Sequence, residues 1–191
     1  MGRNILAGVA VIVAAVWSPA QAGVGAPNGW YIAGSKPADY EMGTEHVAGS
    51  AGKQSAYIKA KPGAASDKFG TLMQTISAED YVGQRVRLSA RMKSENAAGF
   101  QLWFRVDGEG GKMLRFYNMQ DRPVTGTTDW KRYEIVLDVP PGSTFLNYGF
   151  FLRGGQGEGW ADSVAMEQVD KSTPVSALPS PHKPINLDFD Q

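Results

Sequence analysis

One short stretch holds most of the side chains that could do chemistry. In residues 99–130 (GFQLWFRVDGEGGKMLRFYNMQDRPVTGTTDW), Phe100, Leu102, Phe104 and Val106 alternate with Gln101, Trp103, Arg105 and Asp107. A period of two makes two faces, one apolar and one carrying an amide, an indole, a guanidinium and a carboxylate. An indole offers a flat apolar body that matches the C–H face of a sugar ring. Gln101 and Arg105 beside it can hydrogen-bond hydroxyls, and an arginine is seldom fully buried unless paired. Trp103 is therefore read as a platform in a cleft rather than as a core tryptophan. The segment Asn118-Met119-Gln120-Asp121-Arg122-Pro123 adds donors and acceptors in Asn118, Asp121 and Arg122. Two readings of that segment stand side by side: ligand hydrogen bonds, or an internal clasp for backbone groups of a long loop. The expectation is that Trp103, Arg105, Asn118, Asp121 and Arg122 line one concave surface, with Gln101, Tyr117 and Arg153 at its margin.

No catalytic pattern stands out elsewhere. The sequence has 2 histidines, His46 and His182, and neither a G-x-S-x-G elbow, an H-E-x-x-H pair nor a phosphate loop. A glycosidase needs two carboxylates facing each other across a cleft. Asp107, Glu109, Asp121 and Asp129 have no spacing that selects such a pair, so the chain is read as not an enzyme, with a hydrolase as the weakest alternative. Lys plus Arg is 19 and Asp plus Glu is 19. That balance argues against a nucleic-acid footprint, which would show a basic excess. With no cysteine among 191 residues, disulfides and thiolate metal sites are excluded.

These candidates must be held by strands. Residues 30–33, 40–44, 55–61 and 69–76 read as strands, followed by a helical turn over 77–81 capped by Ser77. Residues 85–93 (RVRLSARMK) alternate most clearly, with Val86, Leu88, Ala90 and Met92 facing in. The sequence Asp107-Gly108-Glu109-Gly110-Gly111 supplies a hairpin turn, because glycine reaches positive φ without penalty. Met113 to Asn118 is the return strand, and strands follow over 131–139, 144–153 and 159–169. Roughly nine or ten short strands with 23 glycines and 11 prolines describe an all-β antiparallel sandwich or barrel. Val86, Leu88, Ala90, Phe104, Val106, Ile135, Leu137, Val164 and Met166 are expected in its core.

The ends differ in character. Arg3, an apolar run over 5–17, the Ser18-Pro19 break and Ala20-Gln21-Ala22 form a secretory signal pattern over residues 1–22. The run is shorter than the ~20 residues of a spanning helix, and no other segment could cross a membrane. This places the protein in the periplasm or outside the cell, with a folded domain over 23–169. Residues 170–191 read as a proline-rich linker or flexible tail. Within it Ile185, Leu187 and Phe189 alternate with Asn186, Asp188 and Asp190, a pattern for a strand that returns to cover a sheet edge.

The ending Gly157-Glu158-Gly159-Trp160-Ala161-Asp162-Ser163-Val164-Ala165-Met166-Glu167 resembles the closing strand of galactose-binding-like jelly rolls, a fold that includes carbohydrate-binding modules. Residues 102–108 (LWFRVDG), 118–123 and 126–130 (GTTDW) are similar to a group of poorly characterised bacterial jelly-roll modules, some solitary behind a signal peptide, some fused to regulators or hydrolases. The resemblance covers about residues 30–169. It implies a jelly-roll sandwich that binds a carbohydrate or a similarly hydroxylated ligand. The alternative is a structural or protein-interaction domain of the cell envelope that uses the same face. No cofactor is expected beyond a structural calcium, which such modules often hold near the end of the last strand. Asp162 matches that position, with Glu41 and Glu45 as partners. Its other reading is an aspartate capping a turn. Protein partners are not legible.

Overall fold

The computed structural model describes residues 25–178. The signal pattern over 1–22 and the alternating segment at 185–189 lie outside the described residues. Nine strands run in chain order: β1 (Tyr31–Gly34), β2 (Tyr40–Glu45), β3 (Ser55–Ala60), β4 (Phe69–Ser77), β5 (Arg85–Gly108), β6 (Met113–Tyr117), β7 (Val124–Asp138), β8 (Ser143–Arg153) and β9 (Glu158–Val169). Every pairing is antiparallel. The alternation that the sequence shows in β5 and β7 is what a strand with one core-facing side demands.

Strand β5 organises both layers. Its C-terminal half pairs with β8 and β6, giving a first layer in the order β1-β4-β8-β5-β6. Its N-terminal half pairs with β9 and β7, giving a second layer in the order β7-β5-β9-β3-β2. The sequence divides this element into two strands. The structure shows one strand of 24 residues. Pairing to β7 slips between Met92 and Phe100, and Asn96 sits at φ 49°. Such bulges bend a strand and increase its twist without ending it, which lets one strand serve two sheets. Strand β7 likewise begins at Val124, so the polar stretch after β6 is shorter than the sequence suggests.

The two inner faces supply the core. Phe100, Leu102, Phe104 and Val106 on β5 meet Leu146, Phe150 and Leu152 on β8 and Leu72 on β4, all fully buried. Val86, Leu88, Ala90, Ile135 and Leu137 are buried on the opposing layer, as expected from the alternation. Phe100 and Phe150 pack edge-to-face, ring centres 5.7 Å apart. Val164 and Met166 are only half-buried. They border an open cleft of about 370 Å³ with Trp30, Gln74, Tyr148 and Ala56, so the layers do not close over this part of β9.

After β9 the chain is tied down as far as Ser176. The Ser176 N–H donates to the Val136 carbonyl at 2.8 Å, and the Val136 N–H donates to Ser176 Oγ at 3.0 Å. The Arg85 guanidinium donates to the Lys171 and Thr173 carbonyls. The Ser77 hydroxyl accepts the Glu79 N–H at 3.2 Å and opens a single 3-10 turn over Glu79–Tyr81. No helix among the described residues is long and apolar enough to cross a membrane.

Candidate functional site

The outward face of the first layer is polar and yet covered. Cross-strand neighbours share a face in an antiparallel sheet, so register reads the face directly. Gln101 pairs with Phe151, Trp103 with Gly149, Arg105 with Asn147 and Asp107 with Phe145. On the next strand Thr71, Met73, Thr75 and Ser77 continue these rows, and Tyr31 on β1 ends one of them. Gln101 is 1 % exposed, Thr71 4 %, Asp107 5 % and Asn147 6 %. Four polar side chains of this kind on the outer surface of a sheet form a floor.

Trp103 belongs to that floor. Its indole reaches across β8, where Gly149 has no side chain, and Nε1 donates to Thr71 Oγ1 at 3.0 Å. Thr71 Oγ1 in turn donates to the Phe150 carbonyl at 2.9 Å. A Cβ at 149 would stand 2.3 Å from the Leu72 carbonyl oxygen, so this position needs glycine for space. Trp103 is 8 % exposed. It lies on the expected face but is packed down into it.

A connected polar network runs beside the indole. Thr75 Oγ1 donates to Asn147 Oδ1 at 2.7 Å, which makes Tyr31 the donor in its 2.6 Å bond to Thr75 Oγ1. Asn147 Nδ2 donates to Asp107 Oδ2 at 2.8 Å, and Arg105 Nε and Nη2 donate to the same oxygen at 3.1 and 2.8 Å. Asp107 Oδ1 and Gln101 Oε1 are buried and have no partner among the described residues. A buried acceptor left without a donor costs about 1–3 kcal/mol, so each of these two oxygens calls for a donor from an ordered water or from a ligand that reaches the face.

The remaining candidates divide. Arg153 shares this face, opposite Gly99, and is exposed. Asn118 joins through its backbone, because its carbonyl accepts Gln101 Nε2 at 2.8 Å, while its side-chain Oδ1 accepts the Gln120 N–H. Tyr117, Asp121 and Arg122 are not on this face. Tyr117 pairs with Phe104, which puts its ring on the core side, where it is 4 % exposed. The Tyr117 hydroxyl donates to Asp121 Oδ1 at 2.7 Å and accepts from Arg122 Nε at 3.2 Å, and Arg122 Nη2 donates to the Glu134 carbonyl on β7 at 2.6 Å. The guanidinium also sits 5.7 Å from the Tyr117 ring centre. Burial, then the hydrogen bond to Asp121, holds the Tyr117 phenol above its ordinary range. Of the two readings of this segment, its side chains follow the clasp, and they tie β6 to β7 at the edge where the layers meet.

Phe116 was not singled out from the sequence. It pairs with Arg105, which brings it to the polar face, and it is 44 % exposed. Its aromatic type in LRFYN was visible, but its parity depends on the hairpin. Thr71, Asn147 and Tyr31 were also missed, because they come from strands far away in sequence.

Asp162 holds a turn. Its Oδ2 accepts the Ala51 N–H at 2.8 Å, and Arg91 Nη1 stands 3.9 Å away. Glu45 accepts Trp160 Nε1 at 2.6 Å instead of turning toward Asp162. Calcium takes six to eight oxygens. One carboxylate already facing a guanidinium does not make that set, and no group of three His, Cys, Asp or Glu side chains able to hold a metal occurs among the described residues.

The fold is that of carbohydrate-binding jelly-roll modules. The xylan-binding CBM22-1 domain of Paenibacillus barcinonensis Xyn10C superposes with a TM-score of 0.51 at 16% identity, over 78% of this chain and 90% of that one. The enzymatically active domain of bacteriophage CBA120 tailspike protein 4 gives a TM-score of 0.57 at 18% identity, over 74% of this chain but 20% of that one. In sequence, the chain is 40% identical over 169 residues to an uncharacterized HTH-type transcriptional regulator of Bacillus subtilis strain 168. The match takes 86% of this chain and 57% of the regulator, so the chain spans little more than half the length of that relative. No protein-family model matches the chain.

Proposed function

We propose that this protein is a non-catalytic module that binds a carbohydrate or a similarly hydroxylated ligand on the outward face of the β1-β4-β8-β5-β6 layer. The observation that carries the reading is the floor itself: Gln101, Thr71, Asp107 and Asn147 buried on an outer sheet surface, with two acceptor oxygens that lack donors among the described residues. A solvated sheet face has no need of such a network, whereas a polyhydroxylated ligand supplies the missing donors and accepts from the guanidinium. The carboxylates give no support to hydrolysis. Asp107 is committed to Arg105 and Asn147, and Asp121 belongs to the clasp with Tyr117.

Export through the leader at 1–22 to the periplasm or beyond is part of this proposal. The Bacillus relative is named as an HTH-type regulator. There the shared portion would sense a ligand, and the DNA-reading element would lie in the part this chain does not match, since no α-helix occurs among the described residues.

Binding to an array of neutral and acidic oligosaccharides tests the function. Retention of a glycan that is lost in a Gln101→Ala, Arg105→Ala double variant is the expected result. A protein that binds no glycan, or that binds one equally well in the double variant, refutes the proposal.

A further inference from the structure

We propose that the stacking surface of this face is Phe116 rather than Trp103, and that it receives an uncharged pyranose unit; the inference rests on the carbohydrate reading above. Stacking on a sugar needs an open ring face. Trp103 is 8 % exposed and its indole N–H is bound to Thr71, so the ring is fixed in the floor. Phe116 is 44 % exposed on β6, and its partner in the register is Arg105. Cross-strand neighbours stand about 5 Å apart at Cβ, so a ring seated on Phe116 lies within reach of the guanidinium.

The Arg105–Asp107 pair opposite Phe116 sets the class of ligand. Arg105 is clamped through Nε and Nη2 to Asp107, and its Nη1 makes no hydrogen bond among the described residues. Its side chain is 17 % exposed, so it offers a donor already held in place. Asp107 Oδ1 adds a buried acceptor without a donor among the described residues. The pair is neutral as a unit. A ligand carboxylate would gain from Arg105 but meet Asp107 behind it, whereas a hydroxyl can accept from one and donate to the other. Met113, which pairs with Asp107 and is 58 % exposed, extends the apolar wall along β6. Phe116 also borders a cleft of about 400 Å³ with Arg115, Leu137, Asp138 and residues 175–178. Phe116 thus borders both the polar face and this cleft at the sheet edge.

Calorimetric titration of the full chain with xylohexaose, cellohexaose and polygalacturonate tests this. The expected result is binding of a neutral hexamer, with Phe116→Ala weakening it roughly three- to tenfold and Phe116→Trp retaining it. The melting temperature of Phe116→Ala should fall far less than that of Trp103→Ala, because Phe116 is 44 % exposed. Wild-type affinity in Phe116→Ala, together with loss of binding in Arg105→Ala, would overturn the platform while leaving the carbohydrate reading intact. Preference for polygalacturonate would overturn the uncharged class. Binding of none of the three by the wild-type chain would overturn the proposal, and the array decides the carbohydrate reading separately.

Discussion

Trp103→Ala is expected to destabilise the fold as severely as loss of a core tryptophan. The indole is 8 % exposed, spans a strand that carries Gly149 beneath it, and gives its N–H to Thr71 at 3.0 Å. Truncating a packed tryptophan costs about 3–5 kcal/mol, because the transfer free energy is lost and a cavity remains. For a chain of this size each kcal/mol moves the melting temperature by about 2–4 °C, so the expected fall is on the order of 10 °C. Urea unfolding followed by tyrosine and tryptophan fluorescence gives the free energy directly. Trp103→Phe separates packing from hydrogen bonding. It keeps most of the ring, deletes the N–H, and leaves Thr71 still donating to the Phe150 carbonyl, so it should cost about 1–2 kcal/mol. A Trp103→Ala protein within about 1 kcal/mol of wild type would refute the reasoning, since the indole would then be a surface platform after all.

Three further outcomes follow from the same structure. Tyr117→Phe removes the hydroxyl between Asp121 and Arg122 and should cost about 1–2 kcal/mol in urea unfolding, with glycan affinity unchanged because the clasp lies off the polar face. The Arg85 hydrogen bond holds the Asp138 carboxyl below its ordinary range of about 3.9. A depressed folded-state value stabilises above the unfolded pKa and is lost as pH falls through the folded one, so melting scans from pH 6 downward should show wild type losing its advantage over Asp138→Asn below about pH 4. Truncation after Val169 should lower the melting temperature, because it removes the Ser176 bonds to Val136 and the carbonyls that Arg85 holds. Truncation after Leu178 isolates what residues 185–189 add, and an equal melt in the two truncated forms would contradict the anchoring role of residues 170–178.

Much of this architecture was legible in the alternation. Val86, Leu88 and Ala90, and Phe104 and Val106, read inward in the sequence and are inward in the fold, because a period of two can satisfy only one covered face. The same rule brought Gln101, Trp103 and Arg105 to one face. It failed one strand later. The turn over Glu109–Gly111 uses Gly110 at φ 65° and Gly111 at φ 77°, and the ladder shifts between Val106 and Asp107. That shift sets the parity of β6, sending Tyr117 to the core and Phe116 to the polar face, and no local residue pattern reports it. The floor needed Thr71 and Asn147 from β4 and β8, and only strand order brings them beside Trp103. The burial of Trp103 was hidden for a related reason, since it depends on the bare Gly149 across the ladder. Asp162 was found by position, but its partners Ala51 and Arg91 come from a turn and a strand that its own motif does not specify.

The central claim is tested most directly by amide and indole resonances during glycan titration. Among the described residues Trp30, Trp103, Trp130 and Trp160 carry an indole N–H, and of these only Trp103 lies on the floor of the polar face. The Trp130 and Trp160 indoles are bound to Ala48 and Glu45 in the other layer. Addition of a glycan selected by array should shift the Trp103 indole, the Gln101 and Asn147 side-chain amides and the Phe116 backbone amide, with Trp130 and Trp160 unmoved. Shifts confined to Trp130 and Trp160, with Trp103 and Asn147 unmoved, would place binding on the second layer and contradict the account.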